Sequence, residues 1–353
     1  MPDSHLPEQW KDSVRDNIRQ GAELNTGFIF MNILAAIIAS YGLLANSPAV
    51  IIGAMIVAML LGPITGVSLA LVDGDNKLLK GSLLTLVMGT LVVLGTAFII
   101  GLVHIRIPIT PEIMSRTSPN LIDLMVALAG GAAGAYASVS PRLSTAVVGV
   151  AIATALVPPL SSASILFAHG QPGLAMGAFF LAFTNMVAIQ LVSSVVLWAN
   201  GFRKASHAYK DSIFIFIKQN AISLALLLAM ASILTASLHR AVGQDLFESA
   251  TQTTLAKVIN KITGTYLSEV VFEKESNNSM EVTTVVNAFV QGAQPPTGGQ
   301  VAAVEAQLPK PEDGSQLELR TRFLETTLIN RDGIMYEQMK LDSSGGIKGA
   351  INP

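Results

Sequence analysis

The sequence predicts an α-helical polytopic membrane protein of about seven transmembrane helices, built as a 3+3 inverted repeat containing broken helices and followed by a small C-terminal α/β soluble domain. Three observations lead there. Of the 353 residues 51% are hydrophobic and only 13% charged, about half the charge of an ordinary soluble domain. The charges sit in short clusters between long apolar runs up to Lys210, then spread evenly beyond Arg240. Two proline-bearing stretches, "MLLGPITGVS" and "VPPLSSAS", fall at corresponding places in two similar segments.

Residues 1–25 precede the first apolar run. Trp10, Val14 and Ile18 recur every four residues, with Lys11, Arg15 and Arg19 one position later, which predicts an amphipathic helix lying at the membrane interface. A solvated leader is the alternative. Asp3, Glu8, Asp12, Asp16 and Glu23 argue against a cleaved signal peptide.

A span needs about 20 mainly apolar residues, and seven stretches qualify: 26–45, 48–72, 78–103, 121–139, 143–168, 173–199 and 212–238. They group into membrane repeat 1 (26–103), a loop (104–120), membrane repeat 2 (121–200) and a seventh helix (201–240). Lys and Arg flank alternate loops, in the leader, at Lys77 and Lys80, at Arg142, and at Arg203, Lys204 and Lys210. The positive-inside rule then expects a multi-pass protein of the cell (inner) membrane, with a cytoplasmic N-terminus and the C-terminal domain in the periplasm or outside the cell. The loop "HIRIPITPEIMSRTSPN" has three prolines and no helical period, so it reads as a surface loop, a lid or a plain connector.

Residues 241–341 have the pattern of a soluble α/β unit. A helix is expected from Gln244 to Thr263, stopped by Gly264. "TYLSEVVFEK" and "MEVTTVVNAFV" read as strands, followed by a short helix carrying Val301, Val304 and Leu308 and by the strand "QLELRTRFLETTLI". The order α-β-β-α-β implies two helices on an antiparallel or mixed sheet. Residues 342–353, rich in Gly and Ser, are expected to be a disordered tail.

A shift of 96 positions lays Gly53 on Gly149, Leu60 on Leu156, Pro63 on Pro159, Ser68 on Ser164, Gly74 on Gly170 and Gly81 on Gly177. With three spans per unit the second copy enters the bilayer from the opposite side. Inverted repeats with matched discontinuous helices point to a transport site near the midplane. Gly62, Pro63, Thr65, Ser68, Pro158, Pro159, Ser161, Ser162, Asn185 and Asn32 are therefore the expected substrate-binding residues, with Thr184 beside them and Arg142 drawing anions to the mouth. The competing reading makes the prolines kinks with the serines back-bonded to carbonyls, Arg142 a topology determinant, and Gly62 to Gly66 a seam for close helix packing.

No Asp, Glu, Lys or Arg lies deep in a predicted span, which leaves no carboxylate relay at the midplane. There is no cysteine, paired-histidine metal site or phosphate loop, so neither a cofactor nor a metal is expected, and the protein is not expected to be an enzyme. A net charge of -2 without a basic stripe gives nucleic acid no purchase.

"YGLLANSPAVIIGAMIVAMLLGPITGVSLAL", then "VGVAIATALVPPLSSASILFAHG" and "FLAFTNMVAI", resemble the hydrophobic bacterial membrane proteins grouped as domain of unknown function 389, over roughly residues 26–200. Many relatives are expected to carry a further proline where this chain has Ala58 to Leu61, so the first break should be gentler than the second. The resemblance supports the architecture and supplies no substrate. The expected function is a transporter moving a small polar or anionic solute by alternating access, in the bilayer and as a homo-oligomer. The alternatives are an oligomeric ion channel and a membrane-anchored sensor or assembly protein acting through its soluble domain.

Overall fold

The computed structural model describes residues 7–140, 156–202, 212–259, 265–276, 282–292, 295–311, 314–326, 328–330, 333–335, 340–341 and 347–348. It divides into two units, Met1–Ser237 and Leu238–Pro353.

The first unit is helical. The leader forms α1 (Glu8–Gly21), with acidic Glu8 in its first turn and Arg19 in its last, as the helix dipole favours. Asn25 caps α2 (Thr26–Leu44) by accepting from the Phe28 amide at 2.8 Å. After α3 (Pro48–Val57) the chain leaves helical geometry at Ala58 and resumes in α4 (Leu61–Asp73), bent by 51°. Asp75 caps α5 (Asn76–Val103). A short α6 (Pro111–Met114) leads to α7 (Leu121–Val139), which starts on an Asn120–Asp123 capping box. Then come α8 (Val157–Ala168), α9 (Pro172–Ala199), α10 (Ser212–Gln219) and α11 (Ala221–Ile259).

Among the described residues α2, α5, α7 and α9 are each long and apolar enough to cross a membrane. Counting two bent pairs, α3 with α4 and Ile213–Gln219 with Ala221–Ala236, gives up to six spans. Of the predicted fifth span, residues 143–155 lie outside the described residues, and α8 alone is too short to cross.

The sequence repeat reappears in the element boundaries. α4 begins at Leu61 and α8 at Val157, 96 residues on, and α5 and α9 are 28-residue helices starting 96 residues apart. α2 and α7 both have 19 residues. Gly74 and Gly170, again 96 apart, both sit after the matched short helices at φ 69° and 71°, a left-handed conformation open to glycine and strained for most other residues.

Two expectations are corrected in this unit. α1 does not offer its apolar stripe to lipid: Val14 and Ile18 are buried with Leu69, Val72, Val139, Leu197 and Phe202. The proline-rich loop is an ordered connector, one of the readings the sequence offered, with Ile113 fully buried, the Thr110 hydroxyl donating to Leu43 O at 2.7 Å and the Glu112 amide to Asn46 Oδ1 at 3.1 Å. The expected stop near residue 238 and restart at Gln244 are absent, because α11 runs unbroken from Ala221 to Ile259. Gly243 costs a helix only about 1 kcal/mol and breaks nothing; the interruption falls instead at Asn220, with a 67° bend.

In the second unit β1 (Thr265–Ser276) pairs antiparallel with β2 (Val282–Gly292), and β2 pairs parallel with β3 (Gln316–Glu325), giving a small mixed sheet in the order β1-β2-β3. The connection between the parallel strands carries α12 (Gly298–Glu305), capped by Thr297 and Gln300. Leu255 and Ile259 of α11, Val304 and Leu308 around α12, and Val286, Ala288, Val290 and Leu319 of the sheet form the core. Of the predicted tail, Ile347–Lys348 pairs with Lys340–Leu341, so these two residues are not disordered, while 342–346 and 349–353 lie outside the described residues.

On this sheet Arg320 donates to both oxygens of Glu275, at 2.8 and 2.9 Å, and to both of Glu318, at 2.8 and 3.0 Å. Those hydrogen bonds hold both carboxyls below the usual carboxylate range. Because the folded values are depressed, the pairs favour the fold above the ordinary carboxylate pKa and stop doing so as pH falls through the lowered values. Arg320→Gln is expected to return both titrations toward normal, read by carboxyl-carbon NMR of the full-length protein; unchanged titrations would rule out Arg320 as the cause.

Candidate functional site

Both proline motifs are helix starts. Pro63 is the third residue of α4, and Pro158 and Pro159 are the second and third of α8. The first amides of a helix have no partner within it, and a proline there removes a donor that would otherwise need one. Of the first three residues of α8 only Val157 retains an N–H, while the Leu160 amide already donates to Leu156 O at 3.3 Å. The prolines thus let a helix start in apolar surroundings with few orphan donors. The two starts share one apolar cluster: Leu60 and Ile64 at the first and Leu156, Val157 and Leu160 at the second are buried with Ala35, Ala36 and Ala39 of α2 and Ala182 and Ala188 of α9.

The first interruption lies at residues 58–60, upstream of Pro63, and is a full break without any proline at 58–61. The far side of the second lies outside the described residues, as does Arg142, so which is the gentler is not described. Asn32, fully buried on α2, serves the first break: its Oδ1 accepts from the Met59 amide at 3.3 Å and its Nδ2 donates to Phe28 O at 2.8 Å.

The hydroxyls of the two halves differ. Thr65 Oγ1 donates back to Gly62 O at 2.9 Å, with Leu61 O at 3.2 Å, and Ser68 Oγ lies 3.0 Å from Ile64 O and 2.8 Å from Gln190 O on α9. The Ser161 and Ser162 hydroxyls are completely buried and have no hydrogen-bond partner among the described residues, which corrects the expectation that they satisfy freed backbone. A buried polar group left unpaired costs about 1–3 kcal/mol; the buried hydroxyls of Ser40, Ser82 and Ser193 in the same unit are likewise without a partner among the described residues. Thr184 is back-bonded to Phe180 O at 2.8 Å, and Asn185 is buried on the same helix. At Gly62 a Cβ would lie 2.0 Å from Gly21 O of α1, so this glycine allows close helix packing.

Sequence reasoning missed a second polar group. Gln190 Nε2 donates to Ser194 Oγ at 2.9 Å and lies 3.5 Å from Asn220 Oδ1 at the α10–α11 bend, and all three residues are buried. Asp73 has a fully buried side chain at the end of α4, paired with Arg15 at 3.1 Å. The available signal was position: Gln190 and Ser194 interrupt an apolar run, and Asp73 directly precedes a helix-ending glycine. No group of three or more His, Asp or Glu able to hold a metal occurs among the described residues.

Residues 55–191 match the model of the family described as Domain of unknown function (DUF389). This stretch is similar to the DUF389 domain. An uncharacterized protein of Methanocaldococcus jannaschii is 36% identical over 183 residues, 51% of this chain and 56% of its own length. The chain therefore spans little more than half of that relative. Both helix starts, the unpartnered serines and Gln190 lie inside the matched stretch, whereas α1, Asn32, Ser194 and the mixed sheet lie outside it.

Proposed function

We propose that this protein is a transporter that moves a small polar or anionic solute across the cell membrane by alternating access. The observation that carries the reading is the pair of proline-initiated helix starts, 96 residues apart and buried in one cluster, with two unpartnered serine hydroxyls just inside the second. Such starts at matched positions are the arrangement on which repeat-built transporters form their sites. Since the prolines delete amide donors, the hydrogen bonds to the solute come from Ser161 and Ser162. The finer architecture belongs to the same proposal: seven spans, inverted repeats, a cytoplasmic N-terminus, an external C-terminal domain and assembly as a homo-oligomer, with no catalysis.

The test begins with a thermal-shift screen of polar and anionic solutes on purified protein, since a ligand of the native state raises its stability. In liposomes the hit is expected to show saturable uptake and counterflow; current linear in driving force would mean a channel instead. A chain ending at Ile259 should retain that uptake, and its loss would favour the sensor reading. Ser161→Ala with Ser162→Ala is expected to raise stability by about 1 kcal/mol, because two unpaired hydroxyls disappear. The same pair should raise the KM for the solute about thirtyfold, since two lost hydrogen bonds are worth about 1 kcal/mol each. Unchanged uptake in that variant would remove the serines from the site.

A further inference from the structure

α1 is attached to both halves of the repeat. Toward the first half, Arg15 Nε donates to Asp73 Oδ2 at 3.1 Å, Arg19 reaches Asp75 at 3.5 Å, and Gly21 O lies against Gly62 at the start of α4. Toward the second half, Trp10 Nε1 donates to Val139 O at the end of α7 at 2.9 Å, and Val14 and Ile18 pack in one cluster with Val139 and Leu197. The Arg15 guanidinium also lies 5.6 Å from the Phe202 ring centroid. The outer face of α1 is polar throughout: Gln9, Asp12, Ser13, Asp16, Asn17 and Gln20 are exposed.

Such a face is unfavourable against hydrocarbon and belongs in water. Its far end is Gly21, so water reaches to within about one helix diameter, roughly 10 Å, of the first helix start. A helix fastened to both halves also opposes any displacement of one half against the other. Yet its fastenings are local, two aliphatic side chains, one indole, two ion pairs, the guanidinium beside Phe202 and the approach of Gly21 to Gly62, which marks a segment able to open while the rest stays folded.

We propose that α1 is a releasable strap: docked, it ties the two repeats together and covers the watery approach to the start of α4, and it lifts off when that start opens. The link to opening rests on the transport reading above, whereas docking and release are measurable without flux.

The chain has no cysteine, so single thiols report cleanly. In proteoliposomes, Val14→Cys on the covered face is expected to react slowly with N-ethylmaleimide, with exposed Ser13→Cys as the rapid reference. Adding Arg15→Gln should speed Val14→Cys at least about tenfold, as local opening becomes cheaper. Ser40→Cys, buried in α2, should stay protected in the same background. No acceleration of Val14→Cys, or equal acceleration of Ser40→Cys, overturns the strap. Oxidative cross-linking of Arg19→Cys to Asp75→Cys should abolish uptake of the screened solute and reductant should restore it; full uptake by the cross-linked protein overturns the coupling. If the reduced protein and the wild type both carry no solute, the transport reading fails while the alkylation rates still decide the strap.

Discussion

Gly177→Ala is expected to destabilise the protein by about 3 kcal/mol, at the upper end of the usual range for overpacking, whereas Gly81→Ala is expected to stabilise it by about 0.5–1 kcal/mol. The two glycines occupy matched positions of the repeat, on α9 and α5. A Cβ at Gly177 would lie 1.9 Å from Thr117 O and 3.0 Å from its carbonyl carbon. Both obstacles are backbone, so relief requires moving the segment that leads into α7 and not the rotation of a side chain. At Gly81 nothing lies within 4 Å of the built Cβ, which leaves only the gain in helix propensity and the reduced freedom of the unfolded chain. Apparent melting temperatures of the two variants in one detergent are the measurement. Equal shifts of the same sign would mean that the segment around Thr117 does not seat on α9.

That contrast also shows how much of the protein was legible in its sequence. Most helix starts and stops of the first unit were, because they depend on residues within a turn: Asn25, Asp75 and Asn120 cap, Pro63, Pro158 and Pro159 start, and Gly74 and Gly170 end, whereas the boundary expected between 238 and 244 does not exist. The repeat was legible for the same reason. What neighbours do with those elements was not. The four-residue stripe of Trp10, Val14 and Ile18 identifies a buried face without saying whether lipid or protein buries it, and the protein does. Thr65, Ser68, Ser161 and Ser162 are hydroxyls at similar helical positions, yet the first two are bonded and the last two are not. Ser68 in addition has Gln190 O of α9 opposite it, a partner that local pattern cannot supply. Asp73 in "LVDGDNK" looks like any turn carboxylate until an arginine 58 positions earlier is brought to it.

Arg15→Ala is expected to cost about 3–5 kcal/mol of docking stability and Asp73→Asn markedly less, about 1 kcal/mol, although each removes the same ion pair. The asymmetry follows from what remains. Without Arg15, the Asp73 carboxylate stays fully buried, and its Oδ1 already has no hydrogen-bond partner, so an uncompensated charge is left away from water. Without the Asp73 charge, Arg15 keeps Asp12 at 3.2 Å on the exposed face of α1, and its guanidinium still lies beside Phe202. Replacing both partners together by leucine should recover most of the loss, since well-packed apolar side chains do as well as a buried ion pair or better. Thermal unfolding of the two single variants and of Arg15→Ala combined with Asp73→Asn gives the coupling energy directly. Equal costs for both single variants would mean that Asp73 is reached by water in the docked state, and that α1 is seated by Val14, Ile18 and Trp10 alone.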